Sequence, residues 1–278
     1  MQAAPTCQES TMYAARRKVL RMLYDGKLAV PQAEDLLDAL KSPIPATTPP
    51  VPQFVGTSDW AQNFRSTLLK LARSQAPFWL QGEAGTGKVV AAQFVHGHSS
   101  RADRPFILYP CSTEATDLFG PDKDPGILDQ ARGGTLVLEK PEALSTGAQL
   151  HLASLLQLAG SDGIDVRLCA LTESDLDQLA QAGQFNPQLL AGLGLHLPIT
   201  PLRDRPEDVL SLARHGLERL AQRDGRRPPD LSPEAEKWLL AADWTATNAR
   251  QLGQLVERAL ILCEGDEITP DHLRLPES

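Results

Sequence analysis

The chain has 278 residues, 42% of them hydrophobic, with a formal charge of −8 at pH 7. That length supports one medium α/β domain plus a smaller helical piece, and the acidic balance argues against a broad nucleic-acid surface, which needs a concentrated basic stripe. No stretch approaches the roughly twenty apolar residues of a membrane span, and the N-terminus lacks the basic-then-apolar layout of a secretory signal, so a cytoplasmic protein is expected.

Residues 1–42 read as a helical hairpin. Apolar residues recur at helical spacing (Val19, Leu20, Leu23, then Ala33, Leu36, Leu37, Leu40), Asp25-Gly26 makes the turn, and Pro31 suits a first helical position. The hairpin is too small to bury a core alone, which makes it an interaction module. Residues 43–53 follow as a Pro-rich linker, extended rather than packed.

From Phe54 the pattern changes to helices alternating with short apolar runs. "DWAQNFRSTLLKLARSQ" predicts a helix, "PFWLQ" a strand, "KVVAAQFVHGH" a helix, and "PFILYP", "TLVLE" and "DVRLCAL" further buried strands. This is an α/β arrangement, a parallel sheet flanked by helices, over residues 54–203. Residues 204–278 predict a small all-α domain, with Ser232 capping a helix that begins at Pro233. The isolated cysteines Cys7, Cys111, Cys169 and Cys263 read as buried thiols, and His96 and His98 of "HGH" as structural residues, because no third metal ligand is near.

The strongest chemical signal is "GEAGTGKV", comprising Gly82, Glu83, Ala84, Gly85, Thr86, Gly87, Lys88 and Val89. Between a strand and a helix, the glycines let the backbone curl and aim several N–H groups at an anion. Lys88 adds a charge for the outer phosphates, and the helix N-terminus lies behind it. Val89 takes the place where many such loops carry a Ser or Thr that touches magnesium.

Together with that loop, "FVGTSDW", "LFG", "ARGGTLVLE", "GQF", "PLRDRPEDV" and "NARQL" occur in the order and approximate spacing of a known family. The chain from about Phe54 to His272 resembles the AAA+ domain of sigma-54-dependent transcriptional activators, the enhancer-binding proteins. The resemblance implies a P-loop AAA+ sheet followed by a helical lid. It also implies ATP or ADP bound with Mg at subunit interfaces of a ring, and action on sigma-54 RNA polymerase. Lys88, Thr172 at the first sensor position and Arg250 at the lid's sensor position match the nucleotide-binding half of that machinery.

The catalytic half departs from the family. Where the family's strand ends in Asp-Glu, this chain has Glu139-Lys140. Glu139 can still reach a metal. Lys140 replaces the glutamate that polarises the attacking water, and an ammonium has no lone pair to accept a proton. Pro110 stands where the family has the asparagine that positions that glutamate, and Asn186 and Gly192 fall where its arginine fingers lie. Glu173 replaces the Asn beside the sensor. The GAFTGA-containing insertion after "LFG" is missing, and no helix-turn-helix follows the lid, so direct DNA binding is not expected. Glu142 is a conceivable substitute carboxylate, although the family's register gives it no such role.

The expectation is an ATP-binding regulatory protein deficient in hydrolysis. It would act through a protein partner of the hairpin or of the AAA+ surface, as a homo-oligomer or a mixed ring. The alternatives are a slow or partner-completed ATPase using Glu139 or Glu142, and an AAA+ scaffold free of nucleotide.

Overall fold

The structure, a computed structural model, describes residues 51–113, 115–120, 125–157 and 165–274. The expected hairpin and most of the linker lie outside the described residues. The chain divides into two compact units: a sheet unit that includes Ser58–Arg205, and a helical unit formed by Val55–Thr57 together with the segment beginning at Pro206.

The sheet unit opens with α1 (Asp59–Ala72), whose cap Ser58 accepts from the Ala61 amide and whose first and last turns carry Asp59 and Lys70, each of the sign that suits its helix end. Then come β1 (Phe78–Gln81), α2 (Lys88–Gly97), β2 (Phe106–Pro110), the short helices α3 (Thr116–Phe119) and α4 (Ile127–Gln130), and β3 (Thr135–Glu139). After a 3-10 turn at Pro141–Ala143 follow α5 (Thr146–Gln157), β4 (Arg167–Thr172), α6 (Leu176–Gln181), α7 (Pro187–Gly192) and β5 (Leu195–Pro198). The strands are parallel in the order β2-β3-β4-β1-β5. β5 is the one strand of this sheet that the apolar runs did not single out; two of its four residues are exposed.

Side-chain alternation builds two cores, one on each face of the sheet. Phe78 and Leu80 of β1, Val137 of β3 and Leu171 of β4 pack with Leu68 and Leu71 of α1 and with Ala92 and Phe94 of α2. Trp79, Leu136, Leu138, Leu168 and Ala170 point the other way, against Leu152 of α5, Leu176 of α6 and Leu189 of α7. Strands covered on both faces need apolar residues at successive positions, which is why they read as continuous hydrophobic runs. One charge interrupts the run: Arg167, 2% exposed, donates to the carbonyls of Leu71 and Ala76 and lies 5.0 Å from the centre of the Phe78 ring. Its guanidinium thereby ties the end of α1 to β4.

The helical unit contains α8 (Glu207–Arg223), α9 (Pro233–Ala241), α10 (Asn248–Leu262) and α11 (Pro270–Leu273). Gly216 of α8 lets the helix approach α10, since a Cβ there would meet Val256 at 3.3 Å. Ser232 caps α9 as expected, accepting from the Ala235 amide, with Pro233 following it. The unit is helical apart from one parallel ladder of two residues a side, β6 (Asp230–Leu231) against β7 (Glu267–Ile268). Asp208, fully buried, accepts from the Thr57 amide at 2.7 Å, which brings the 55–57 segment into this unit. Among the described residues no helix is long and apolar enough to cross a membrane.

Candidate functional site

The carboxyl ends of β1, β3 and β4 meet at one edge of the sheet, where ligands bind in open α/β folds. β1 leads into the 82–88 loop. Gly85 (φ 74°) and Gly87 (φ 103°) adopt the left-handed backbone that residues with a Cβ disfavour, and Gly87 is the N-cap of α2. At Gly82 the constraint is space: a Cβ would meet the Ile199 carbonyl oxygen at 3.0 Å and Thr86 Oγ1 at 3.1 Å. The loop is held from inside. Thr86, 2% exposed, donates its hydroxyl to the Glu83 carbonyl at 2.9 Å, and the Gly82 amide donates to the Thr172 carbonyl at 3.1 Å. The Lys88 ammonium sits on the carbonyls of Gly82 and Glu83, at 2.6 and 2.9 Å.

Two arginines that follow β5 hold the loop from outside. Arg205, 3% exposed, donates to the Thr86 carbonyl at 3.1 Å and stacks 4.6 Å from the centre of the Trp60 ring. Arg203 meets the Glu83 carboxylate through two contacts of 2.6 Å, a fork-to-carboxylate pair at the surface. Sequence reading placed neither in the site; "PLRDR" was the signal. Val89 packs against the apolar core beneath β1, so the first turn of α2 offers a hydrocarbon where a hydroxyl would touch a metal.

At the exit of β3, Glu139 is half-buried and pairs with Leu171 of β4 and Pro110 of β2. Lys140 is exposed and left-handed (φ 53°), and its amide donates to the Leu171 carbonyl at 2.8 Å. The 3-10 turn that follows returns Glu142 toward β4, where its Oε1 accepts from the Thr172 hydroxyl at 2.8 Å. Burial pushes the Cys111 thiol up to about 12, and the charges of Glu142 and Glu139 add to that rise. The loop residues, Thr172, Glu139, Lys140 and Glu142 thus belong to one end of the sheet. Arg250 belongs to the helical unit, exposed in the first turn of α10.

Other replaced positions have structural occupations. Asn186 caps α7, its side chain accepting from the amides of Gln188 and Leu189; "NPQ" at a helix start is a legible cap signal. Gly192 lies against Leu156, which a Cβ would meet at 3.0 Å. Glu173 is exposed. His96 is buried, its Nδ1 2.9 Å from Thr135 Oγ1. Cys169 and Cys263 are buried free thiols, and Cys111 is half-buried.

Residues 55–202 match the family described as the Sigma-54 interaction domain, and residues 203–276 match the AAA+ ATPase lid domain. The response regulator protein PilR of Pseudomonas aeruginosa is 32% identical over 262 residues, which cover 86% of this chain and 59% of PilR. The transcriptional regulatory protein ZraR of Klebsiella oxytoca is 32% identical over 295 residues, covering 97% of this chain and 66% of ZraR. The chain therefore spans less than two thirds of the length of these relatives. Crystal structures of NtrX from Brucella abortus in complex with ATP and with ADP align at TM-scores of 0.73 and 0.72, with 28% and 29% identity, over 87% of this chain and 58% of NtrX. By sequence and by fold, the chain belongs to the sigma-54 interaction family of AAA+ domains, its phosphate-loop domain and helical lid included.

Proposed function

We propose that the chain is an ATP- or ADP-binding regulatory module that holds its nucleotide without turning it over and acts through nucleotide-dependent protein contacts in transcription regulation. The observation that carries this reading is Lys140. It occupies the first position after β3, bonded through its amide to the strand that ends in Thr172, and its side chain has no lone pair with which to activate water. Asn186 and Gly192 likewise leave a neighbouring subunit without the guanidinium that accelerates such reactions by roughly 10³- to 10⁵-fold.

The binding half supports nucleotide. Gly82–Lys88 would hold the phosphates through backbone amides and the Lys88 charge, with Thr172 beside them. Similar proteins have been crystallised with ATP and ADP. Magnesium fits a reduced donor set. It binds through one or two carboxylates plus phosphate oxygens and water, so Glu139 would be the protein's ligand while Val89 contributes none. Among the described residues no three His, Cys, Asp or Glu side chains are grouped to hold a metal without that help. When bound, the ion would neutralise phosphate charge. Arg250 is assigned to the lid side of the nucleotide by family register. The family register suggests a second copy or a mixed ring with another AAA+ protein, and residues 1–42 or the AAA+ surface would engage a protein partner in the cytoplasm.

Calorimetric titration with ATP and phosphate release on one purified sample test this, with Lys88→Ala as control. Binding without turnover supports the reading, and steady turnover lost in Lys88→Ala rejects it. One observation favours a second reading, a slow or partner-completed ATPase: Glu142 brings a carboxylate to Thr172. Phosphate release abolished by Glu142→Gln would select it. The three glycines and the lysine kept at working spacing in the loop speak against a scaffold without nucleotide.

A further inference from the structure

The position two residues beyond Lys140 carries a group whose chemistry bears on which nucleotide the site holds. β3 ends at Glu139, the left-handed Lys140 turns the chain, and Pro141–Ala143 forms a 3-10 turn. That turn places the Glu142 carboxylate on the hydroxyl of Thr172, which is 1% exposed. The hydroxyl is engaged in both directions, donating to Glu142 Oε1 at 2.8 Å and accepting from the Ser174 amide at 2.9 Å. Thr172 also receives, through its carbonyl, the amide of Gly82, the first residue of the phosphate loop. The carboxylate is therefore one residue removed from the loop.

One oxygen of that carboxylate is bonded and the other is not. Glu142 Oε2 is buried and has no hydrogen-bond donor among the described residues. Burial raises the Cys111 thiol most and Glu142 and then Glu139 add to the rise, so both carboxylates act on the same small region at the strand ends. Exposed Glu173 follows Thr172 in the chain, so further negative charge lies near the same strand end.

We propose that Glu142 is a specificity-determining residue that makes the site prefer a nucleoside diphosphate to a triphosphate; this rests on the nucleotide-binding reading above. The loop amides and Lys88 serve the phosphates common to both nucleotides. A triphosphate adds charge toward the strand ends, where it meets the Glu142 carboxylate and finds the Thr172 hydroxyl already bonded to it. Like charges at a partly buried site are screened less than they are in water. A divalent cation held with the triphosphate would offset the repulsion, which makes triphosphate affinity steeply dependent on that ion.

The test is a calorimetric titration of the full chain with ADP and with ATP, with and without magnesium, for wild type, Glu142→Gln and Thr172→Val. Expected without magnesium is an ADP preference of about tenfold or more in wild type. Glu142→Gln should strengthen ATP about tenfold and change ADP less than about threefold, with a weaker magnesium dependence for ATP. Thr172→Val, which keeps the carboxylate, should retain the ADP preference. An ADP/ATP ratio unchanged in Glu142→Gln overturns the proposal and leaves the nucleotide reading standing. Equal weakening of both nucleotides with a lowered Tm makes Glu142 merely structural and also overturns it. Absence of binding of either nucleotide to wild type overturns both.

Discussion

Arg205 and Thr86, 119 residues apart, are joined by a 3.1 Å hydrogen bond from a buried guanidinium to the carbonyl of the phosphate loop. The same guanidinium lies on the face of Trp60, so the loop is coupled through one side chain to α1. Truncation in Arg205→Ala removes a charge-assisted hydrogen bond and a desolvated cation–π contact, and should cost about 2–4 kcal/mol of stability. Arg205→Lys should recover only part, because an ammonium cannot bond the carbonyl and lie flat on the indole together. Urea unfolding monitored by circular dichroism reads the stability, and nucleotide titration of the folded variants should show weaker binding for both.

Two glycines of the loop separate strain from space. Gly87 has open surroundings but φ 103°, whereas Gly82 is crowded by Ile199 and Thr86. Gly87→Ala should cost about 1–2 kcal/mol through the backbone alone. At Gly82 an Ala must displace the Ile199 carbonyl or the Thr86 hydroxyl that closes the loop. Both variants should weaken nucleotide binding, but the loss in Gly82→Ala should be partly relieved by Thr86→Ala, which removes the crowding hydroxyl, and the loss in Gly87→Ala should not. Titrations of the three single variants and the two double variants check this.

Lys140 is a non-glycine residue at φ 53°, and it is exposed. Lys140→Gly should raise stability by up to about 1 kcal/mol by removing the left-handed penalty. Lys140→Glu keeps that penalty and adds a carboxylate beside Glu139 and Glu142, so ATP retention should fall, measured as a faster dissociation of a fluorescent ATP analogue. Unchanged retention in Lys140→Glu would mean that the charge at this position does not influence ATP.

Much of this organisation was legible in the residue order. "FWLQ" and "TLVLE" declared themselves as strands because both faces of each are covered, and the glycines of the loop because few other residues tolerate its backbone. What was hidden is long-range and side-chain specific. Arg205 lies far along the chain from the loop it holds, and nothing local in "PLRDR" names its acceptor. Glu142 is legible as a conceivable substitute carboxylate, but its bond to Thr172 follows from the turn that the left-handed Lys140 opens, which no local pattern announces. The β6–β7 ladder spans two residues a side, too short for any alternation to show. Asn186 was read through the arginine it replaces, while its own helix cap was there to be seen.

The Cys111 thiol reports on the same corner. Burial raises it most, and the Glu142 and Glu139 carboxylates raise it further, to about 12. Removing one negative charge must lower it, while burial keeps it above the ordinary 9.0. In the folded protein, alkylation of Cys111 by iodoacetamide, followed by peptide mass spectrometry, should be slow at pH 8 and rise steeply only near the shifted value. Glu142→Gln should move that rise to lower pH. An unmoved profile would place the Glu142 charge away from Cys111.

Acid should destabilise the fold through the buried His96 and the half-buried His196. His96 is lowered from 6.5 chiefly by burial, against the pull of hydrogen bonds to the Arg104 and Ala102 backbone, with the charges of Arg167 and Arg101 adding to the lowering. His196 is also lowered by burial, against the opposing pull of Asp177 and Asp175, and it lies flat on Trp79 at 3.7 Å. In both cases the folded value lies below the unfolded one, so below pH 6.5 the unfolded chain binds protons that the folded chain refuses. Their contribution is therefore fully present above pH 6.5 and is lost as the pH falls through the folded values. Guanidinium unfolding at pH 8, 7, 6 and 5 should show a plateau above pH 7 and a decline below it. His196→Gln removes a titrating group, so its curve should start lower from lost stacking yet fall less steeply between pH 7 and 5. An equal slope in the variant would mean that His196 does not carry the acid sensitivity of this window.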